Sequence, residues 1–300
     1  MRPLSLVQRL RPGTEAARPA ASMLLQSSTA EAPQVELPEP LGRIGNLEIR
    51  VARTQREVRQ AQRLRYEVFY EEMSALPGTA SAFARRDADA FDALCDHLLV
   101  IDNAPRKPQV VGTYRLLRQE VAEAHGGFYT AGEYDIAPLL ARHPDRRFLE
   151  LGRSCVRKPY RDKRTVELLW HGLWVYVLAH DRTAMIGCVS FAGTDPERLA
   201  VPLSYLHHFH RSPEPWQARA LPARYVEMNR LPKDALDMKA ALRALPPLFK
   251  GYLRLGATVC DGAVVDHQFG TTDVMMVLLR EAINPRYVNY YGADASRHSA

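Results

Sequence analysis

Wound as a helix, residues 166–179 are apolar on nearly every side, and no other feature restricts the fold as much. The apolar stretch 168–179 falls short of the roughly 18 to 20 residues that cross a bilayer, so the helix must be buried inside a domain. A sheet or further helices have to cover it. A chain of 300 residues, 46% of them hydrophobic, can supply that cover.

The flanking pattern points to a sheet. A strand is expected at 47–52, then a helix opened by Thr54 and Glu57 in capping-box spacing, with Val58, Ala61, Leu64, Val68 and Phe69 as its buried stripe. A loop over 74–90 leads to strands at 97–102 and 110–117, joined as a hairpin. The strand 148–156 enters a basic loop, 157–164, and then the apolar helix. Strand 185–191, a helix begun by Asp195 and Pro196, strand 225–228, helix 247–255 and strands 258–265 and 273–279 follow. This alternation, without repeats or a linker, predicts a single α/β domain over 46–300 built on a mixed sheet. Residues 1–45 carry Pro3, Pro12, Pro19, Pro33, Pro38 and Pro40 and read as a disordered leader without a secretory apolar core. Within it Leu4, Leu6, Val7 and Leu10 beside Arg2, Arg9 and Arg11 form an amphipathic stub suited to an anionic membrane.

Forty Lys and Arg against 34 Asp and Glu leave a net charge of +6, which favours an acidic partner: nucleic acid, anionic lipid or an acidic protein. Aromatic content of 8% and the lack of a nucleic-acid motif argue against the first. Cys95, Cys155, Cys188 and Cys260 stand singly, which suggests neither disulfides nor a metal site and fits a reducing cytoplasm.

Three features can carry chemistry, and two more are weighed beside them. Arg153, Arg157, Lys158, Arg161, Lys163 and Arg164 crowd a strand-to-helix junction against the single acid Asp162, a setting where a helix start can hold a phosphate; without glycines the loop is neither a P-loop nor a dinucleotide fingerprint. Asp87, Asp89, Asp92 and Asp96 precede the strand at 97 and can hold a substrate ammonium, bind a divalent cation or merely coat a loop, the metal reading being weakened by the lack of calcium-loop spacing. Glu150 sits in an apolar strand that ends in the basic loop, as a general base or as the ion-pair partner of Arg153 or Arg115. Cys155 lacks a nearby histidine, and His207, His208 and His210 read as helix-end residues.

Longer blocks carry a resemblance. Residues 63–69 (RLRYEVF), 89–100 (DAFDALCDHLLV), 111–117 (VGTYRLL), 150–156 (ELGRSCV), 193–196 (GTDP), 203–208 (LSYLHH), 245–257 (LPPLFKGYLRLGA), 261–266 (DGAVVD) and 271–274 (TTDV) resemble the ornithine-acyl-carrier-protein N-acyltransferases of bacterial ornithine-lipid synthesis. That family is similar to the acyl-homoserine-lactone synthases within the GNAT superfamily, whose acidic pattern falls here on Asp87, Asp89, Phe91 and Asp92. The resemblance implies a GNAT-like mixed sheet split near Glu150. It also implies transfer of a long 3-hydroxyacyl group from acyl carrier protein to the α-amino group of L-ornithine, giving lyso-ornithine lipid. Glu150, Asp92 and Asp89 would be catalytic; Asp87, Asp89, Asp92, Arg65 and Arg115 would bind ornithine; Arg153, Ser154, Arg157, Arg161, Lys163 and Arg164 would bind the phosphopantetheine arm. No metal or cofactor is expected beyond the thioester donor, which makes an acidic carrier protein the partner of the basic loop. The expected location is cytoplasmic, with peripheral contact at the inner face of the membrane. The alternatives are an acyl-homoserine-lactone synthase using S-adenosylmethionine, or a basic membrane- or nucleic-acid-binding module.

Overall fold

The computed structural model describes residues 35–287, so the amphipathic stub lies outside the described residues. Twelve strands are described: β1 (Gly42–Ile44), β2 (Leu47–Val51), β3 (Asp96–Asp102), β4 (Gln109–Arg118), β5 (Tyr134–Asp135), β6 (Phe148–Val156), β7 (Ala184–Ala192), β8 (Arg219–Ala220), β9 (Tyr225–Val226), β10 (Thr258–Val259), β11 (Ala263–Asp266) and β12 (Thr271–Leu279). The helices are α1 (Gln55–Tyr66), α2 (Thr79–Ala84), α3 (Gln119–Ala124), α4 (Ala137–Arg142), α5 (Lys163–Ala179), α6 (Ala200–Phe209), α7 (Met238–Ala244) and α8 (Pro247–Leu255).

The main sheet runs β1-β2-β3-β4-β6-β7-β12-β11-β9, with β10 also on β12 and β5 paired with β8 apart. Neighbours are antiparallel except β6 and β7, which run parallel, so the sheet is mixed. Alternation along β3 sorts its side chains: Leu98 and Val100 join the core under α5, whereas Leu99 and Ile101 meet Ala61 and Leu64 of α1 and Val68 just beyond it. The apolar helix α5 packs on β1 to β4 so closely that a Cβ at Gly172 would stand 2.4 Å from Ile49. Thr54 and Glu57 do form the capping box of α1, and that helix continues as a wider turn, Glu67–Glu72.

Several boundaries differ from the sequence reading. Order begins before residue 46, because Leu41 is buried and β1 pairs with β2. The expected loop 74–90 contains α2. Asp195 caps a turn rather than a helix, its Oδ1 accepting from Glu197 N, and α6 starts at Ala200. The expected strand 258–265 is broken in two, since Gly262 takes φ +84° where a Cβ would strike the Tyr225 ring.

Candidate active site

β6 and β7 pair over three rungs only, Phe148↔Ala184, Leu149↔Met185 and Glu150↔Ile186. Beyond Glu150 each strand keeps its other neighbour, β6 on β4 to Val156 and β7 on β12 to Ala192, so the sheet splits. At the parting a Cβ on Gly187 would stand 2.3 Å from the Leu151 carbonyl oxygen, and no side chain fits there. Just past it, β6 carries a bulge: between Thr113 and Arg115 it spends one residue more than β4, and Arg153 takes φ +51°, a left-handed conformation unusual for an arginine.

A cavity of about 850 Å³ opens in the split. Part of its wall belongs to the apolar core, including Leu169, Trp170, Met185, Tyr252, Met276 and Leu278. Another part is polar: Arg115, Glu133, Glu150, Arg153, Asp266 and Asp273. Glu150 is buried and accepts hydrogen bonds from Tyr129 N at 2.8 Å, Thr130 N at 2.7 Å and the Thr130 hydroxyl. Burial raises its pKa despite these donors, which makes it a stronger base than an exposed glutamate.

The Asp87–Asp92 cluster stands behind this wall. Arg65, fully buried, donates from Nε to Asp87 Oδ2 at 2.7 Å and from Nη2 to both Asp92 oxygens at 2.8 Å. Gln62 and the Asp89 N–H also donate to Asp92, and Tyr70 to Asp87. Arg115 meets Asp89 at 2.7 Å and Asp92 at 3.3 Å; Arg153 lies 3.3 Å from Asp87 and 3.4 Å from Asp89, between the Tyr129 and Phe269 rings. Asp87 and Asp92, expected to hold a substrate ammonium, thus have arginines on their oxygens in this structure. Asp89, Asp92 and Arg65 order the loop that supports Arg115 and Arg153.

The basic loop is spread wider than expected. Arg153 belongs to the polar wall, while Ser154 and Arg161 line the cavity. Arg157 pairs with Glu67 at 2.8 Å, Arg161 with Glu72, Lys163 with Glu167 at 3.4 Å, and Arg164 donates to Ile44 O. The start of α5 is capped by Asp162, whose Oδ1 accepts from Thr165 N, so this carboxylate already answers part of the helix-start potential assigned to a phosphate.

The acetyltransferase (GNAT) domain family matches residues 64–171, from α1 into α5. The chain is 56% identical over 263 residues to the L-ornithine N(alpha)-acyltransferase of Rhizobium meliloti (strain 1021), covering 87% of this chain and 89% of that one. It is 55% identical over 259 residues to that of Agrobacterium fabrum (strain C58), covering 85% and 88%. The chain belongs to the L-ornithine N(alpha)-acyltransferase family. The Rhodobacter capsulatus member is 45% identical over 249 residues, covering 81% of this chain and 94% of that one.

Within this family member no described thiol is poised for attack. Burial pushes Cys155 and Cys95 up to about 12, and holds Cys188 well above the usual thiol value. His208 meets Leu231 O and His210 meets the Tyr205 hydroxyl, at the end of α6. Sequence reasoning missed Glu133, Asp266 and Asp273, three carboxylates whose nearest oxygens lie within 4.8 Å of one another on the cavity wall. The signal was available: Asp266 and Asp273 sit in the 261–266 and 271–274 blocks beside apolar strand residues, as Glu150 does.

Proposed function

We propose that this chain transfers a long 3-hydroxyacyl group from acyl carrier protein to the α-amino group of L-ornithine, giving lyso-ornithine lipid. The carrying observation is its identity, 45 to 56%, to L-ornithine N(alpha)-acyltransferases over most of its length. The split sheet supports the reading, since its cavity joins an apolar wall for an acyl chain to a polar wall for an amino acid. The α-ammonium gives a proton to Glu150, directly or through water, and the amine attacks the thioester carbonyl. The N–C bond forms, main-chain N–H groups at the open strands meet the oxyanion, the C–S bond breaks, and the second proton of the attacking nitrogen passes to the departing thiolate, releasing the carrier thiol. Ser154 and Arg161 at the cavity, with Arg157, Lys163 and Arg164 around the loop, attract the phosphopantetheine arm and its acidic carrier; Arg157 and Arg161 exchange Glu67 and Glu72 for it on docking.

Among the described residues no helix is long and apolar enough to cross a membrane. An amphiphilic product places the work beside the inner face of the cytoplasmic membrane, by peripheral contact.

Mass spectrometry of purified chain with 3-hydroxyacyl carrier protein and either L-ornithine or S-adenosylmethionine tests the proposal. N-acylornithine with equimolar free carrier thiol is expected; product from S-adenosylmethionine alone, or from acyl-coenzyme A as efficiently as from the carrier, overturns it. Glu150→Gln should cut kcat by about 10²- to 10⁴-fold, and a fully active variant removes the base assignment.

A further inference from the structure

Three elements remote in sequence converge at the polar wall. Glu133 follows the turn Tyr129–Gly132, Asp266 ends β11, and Asp273 lies on β12 opposite Ser190 of β7. Their converging oxygens lie within 4.8 Å of one another. Asp273 is 8% exposed, and its Oδ1 has no hydrogen-bond partner. Asp266 is fixed, its Oδ1 accepting from Gln268 N at 2.8 Å and Phe269 N at 2.9 Å. Among the described residues Arg224 is the one cation paired with Glu133, at 3.4 Å; the Cys188 thiol also hydrogen-bonds to Glu133, Ser190 and Thr271 to Asp273, and Arg153 lends charge to Asp273 from a distance. Burial and then the Asp273 charge push Glu133 up to about 7, and burial pushes Asp273 up as well. Three carboxylates thus face one paired cation, Arg224, and their remaining charge is left for a ligand to answer.

We propose that Glu133, Asp266 and Asp273 seat the side-chain ammonium of the amino-acid acceptor and thereby select an amino acid with a cationic side chain. This rests on the acyltransferase reading above and adds where its acceptor is recognised. An ammonium directs three N–H groups tetrahedrally, so acceptors about 2.8 Å away stand about 4.6 Å apart, a spacing that this cluster admits. The turn that carries Glu133 also donates Tyr129 N and Thr130 N to Glu150. A diamino acid can therefore present its α-amine to Glu150 and its far end to the three carboxylates. A neutral side chain would leave buried carboxylates unanswered, and that penalty is the selectivity.

The test compares L-ornithine with L-norvaline, the same carbon skeleton without the terminal amine, as acceptors with one acyl carrier protein. Wild type should favour ornithine in kcat/KM by at least about tenfold. Asp273→Asn and Asp266→Asn, near-isosteric and scored only if their Tm shows a folded protein, should shrink that ratio at least about tenfold, through KM for ornithine. If wild type acylates neither amino acid, the acyltransferase reading fails and this inference with it. Should wild type use ornithine while treating norvaline equally, or keep its preference in a folded variant, only the inference falls. Loss of ornithine use on EDTA treatment, restored by Mg²⁺, Mn²⁺ or Ca²⁺, would make the cluster a metal site and overturn it too.

Discussion

Two acidic clusters stand a few residues of wall apart, alike in composition and opposite in state. Asp87, Asp89 and Asp92 face Arg65, Arg115 and Arg153, and their charge is answered from within. Glu133, Asp266 and Asp273 have Arg224 paired with Glu133 and one Asp273 oxygen without a hydrogen-bond partner. Although burial favours its neutral form, Asp92 is held well below the usual carboxylate range by Arg65, whereas Glu133 is pushed to about 7. Counting carboxylates therefore does not locate a cation site. What matters is whether the fold has already supplied the countercharge, and in the first cluster it comes from an arginine distant in sequence.

The largest effect should come from breaking the closed cluster. Arg65→Met strands two buried carboxylates, so urea unfolding should show a loss of about 3 to 5 kcal/mol. A loss under about 1 kcal/mol would mean that the first cluster is no lock. The next is a difference in pH dependence. Because Glu133 binds a proton more tightly folded than unfolded, where its usual value is 4.5, its contribution lowers stability as pH rises from about 4.5 to about 7, by on the order of 3 kcal/mol. Asp92 works the other way, its stabilisation being present above the usual 3.8 and lost as pH falls below it. Glu133→Gln should flatten the decline between pH 5 and 7 in unfolding experiments, and parallel curves for variant and wild type would erase the contrast between the clusters. The smallest effect is expected at Asp89, whose side chain is 28% exposed. Asp89→Asn should cost up to about 1 kcal/mol and leave KM for ornithine within about twofold. A tenfold rise in that KM would return acceptor binding to the first cluster.

Much of the scaffold was legible because local rules fix it. The strand 148–156, the helix 247–255 and the Thr54–Glu57 box appear where periodicity and capping place them. Glu150 was legible for the same reason, as a charge inside an apolar strand. The partners were not legible, since a salt bridge such as Arg65 to Asp92 depends on how α1 lies across β3 and β4. Nor could sequence reveal that Arg153 leaves the basic loop: the bulge that turns it toward Tyr129 and Phe269 is a register event between two strands.

The parting of β6 and β7 gives this sheet two edges in its interior, where other proteins have them at the rim. Main-chain N–H and C=O groups along such an edge seek partners, and an extended chain bearing amides is what satisfies them. Under the proposed function the pantetheine arm, with its two amides, is such a chain. Its grip would then lie in peptide groups that every residue type shares, so substitutions along the seam would alter the fit of the acyl chain and the amino acid while the hold on the donor arm passed through them largely unchanged.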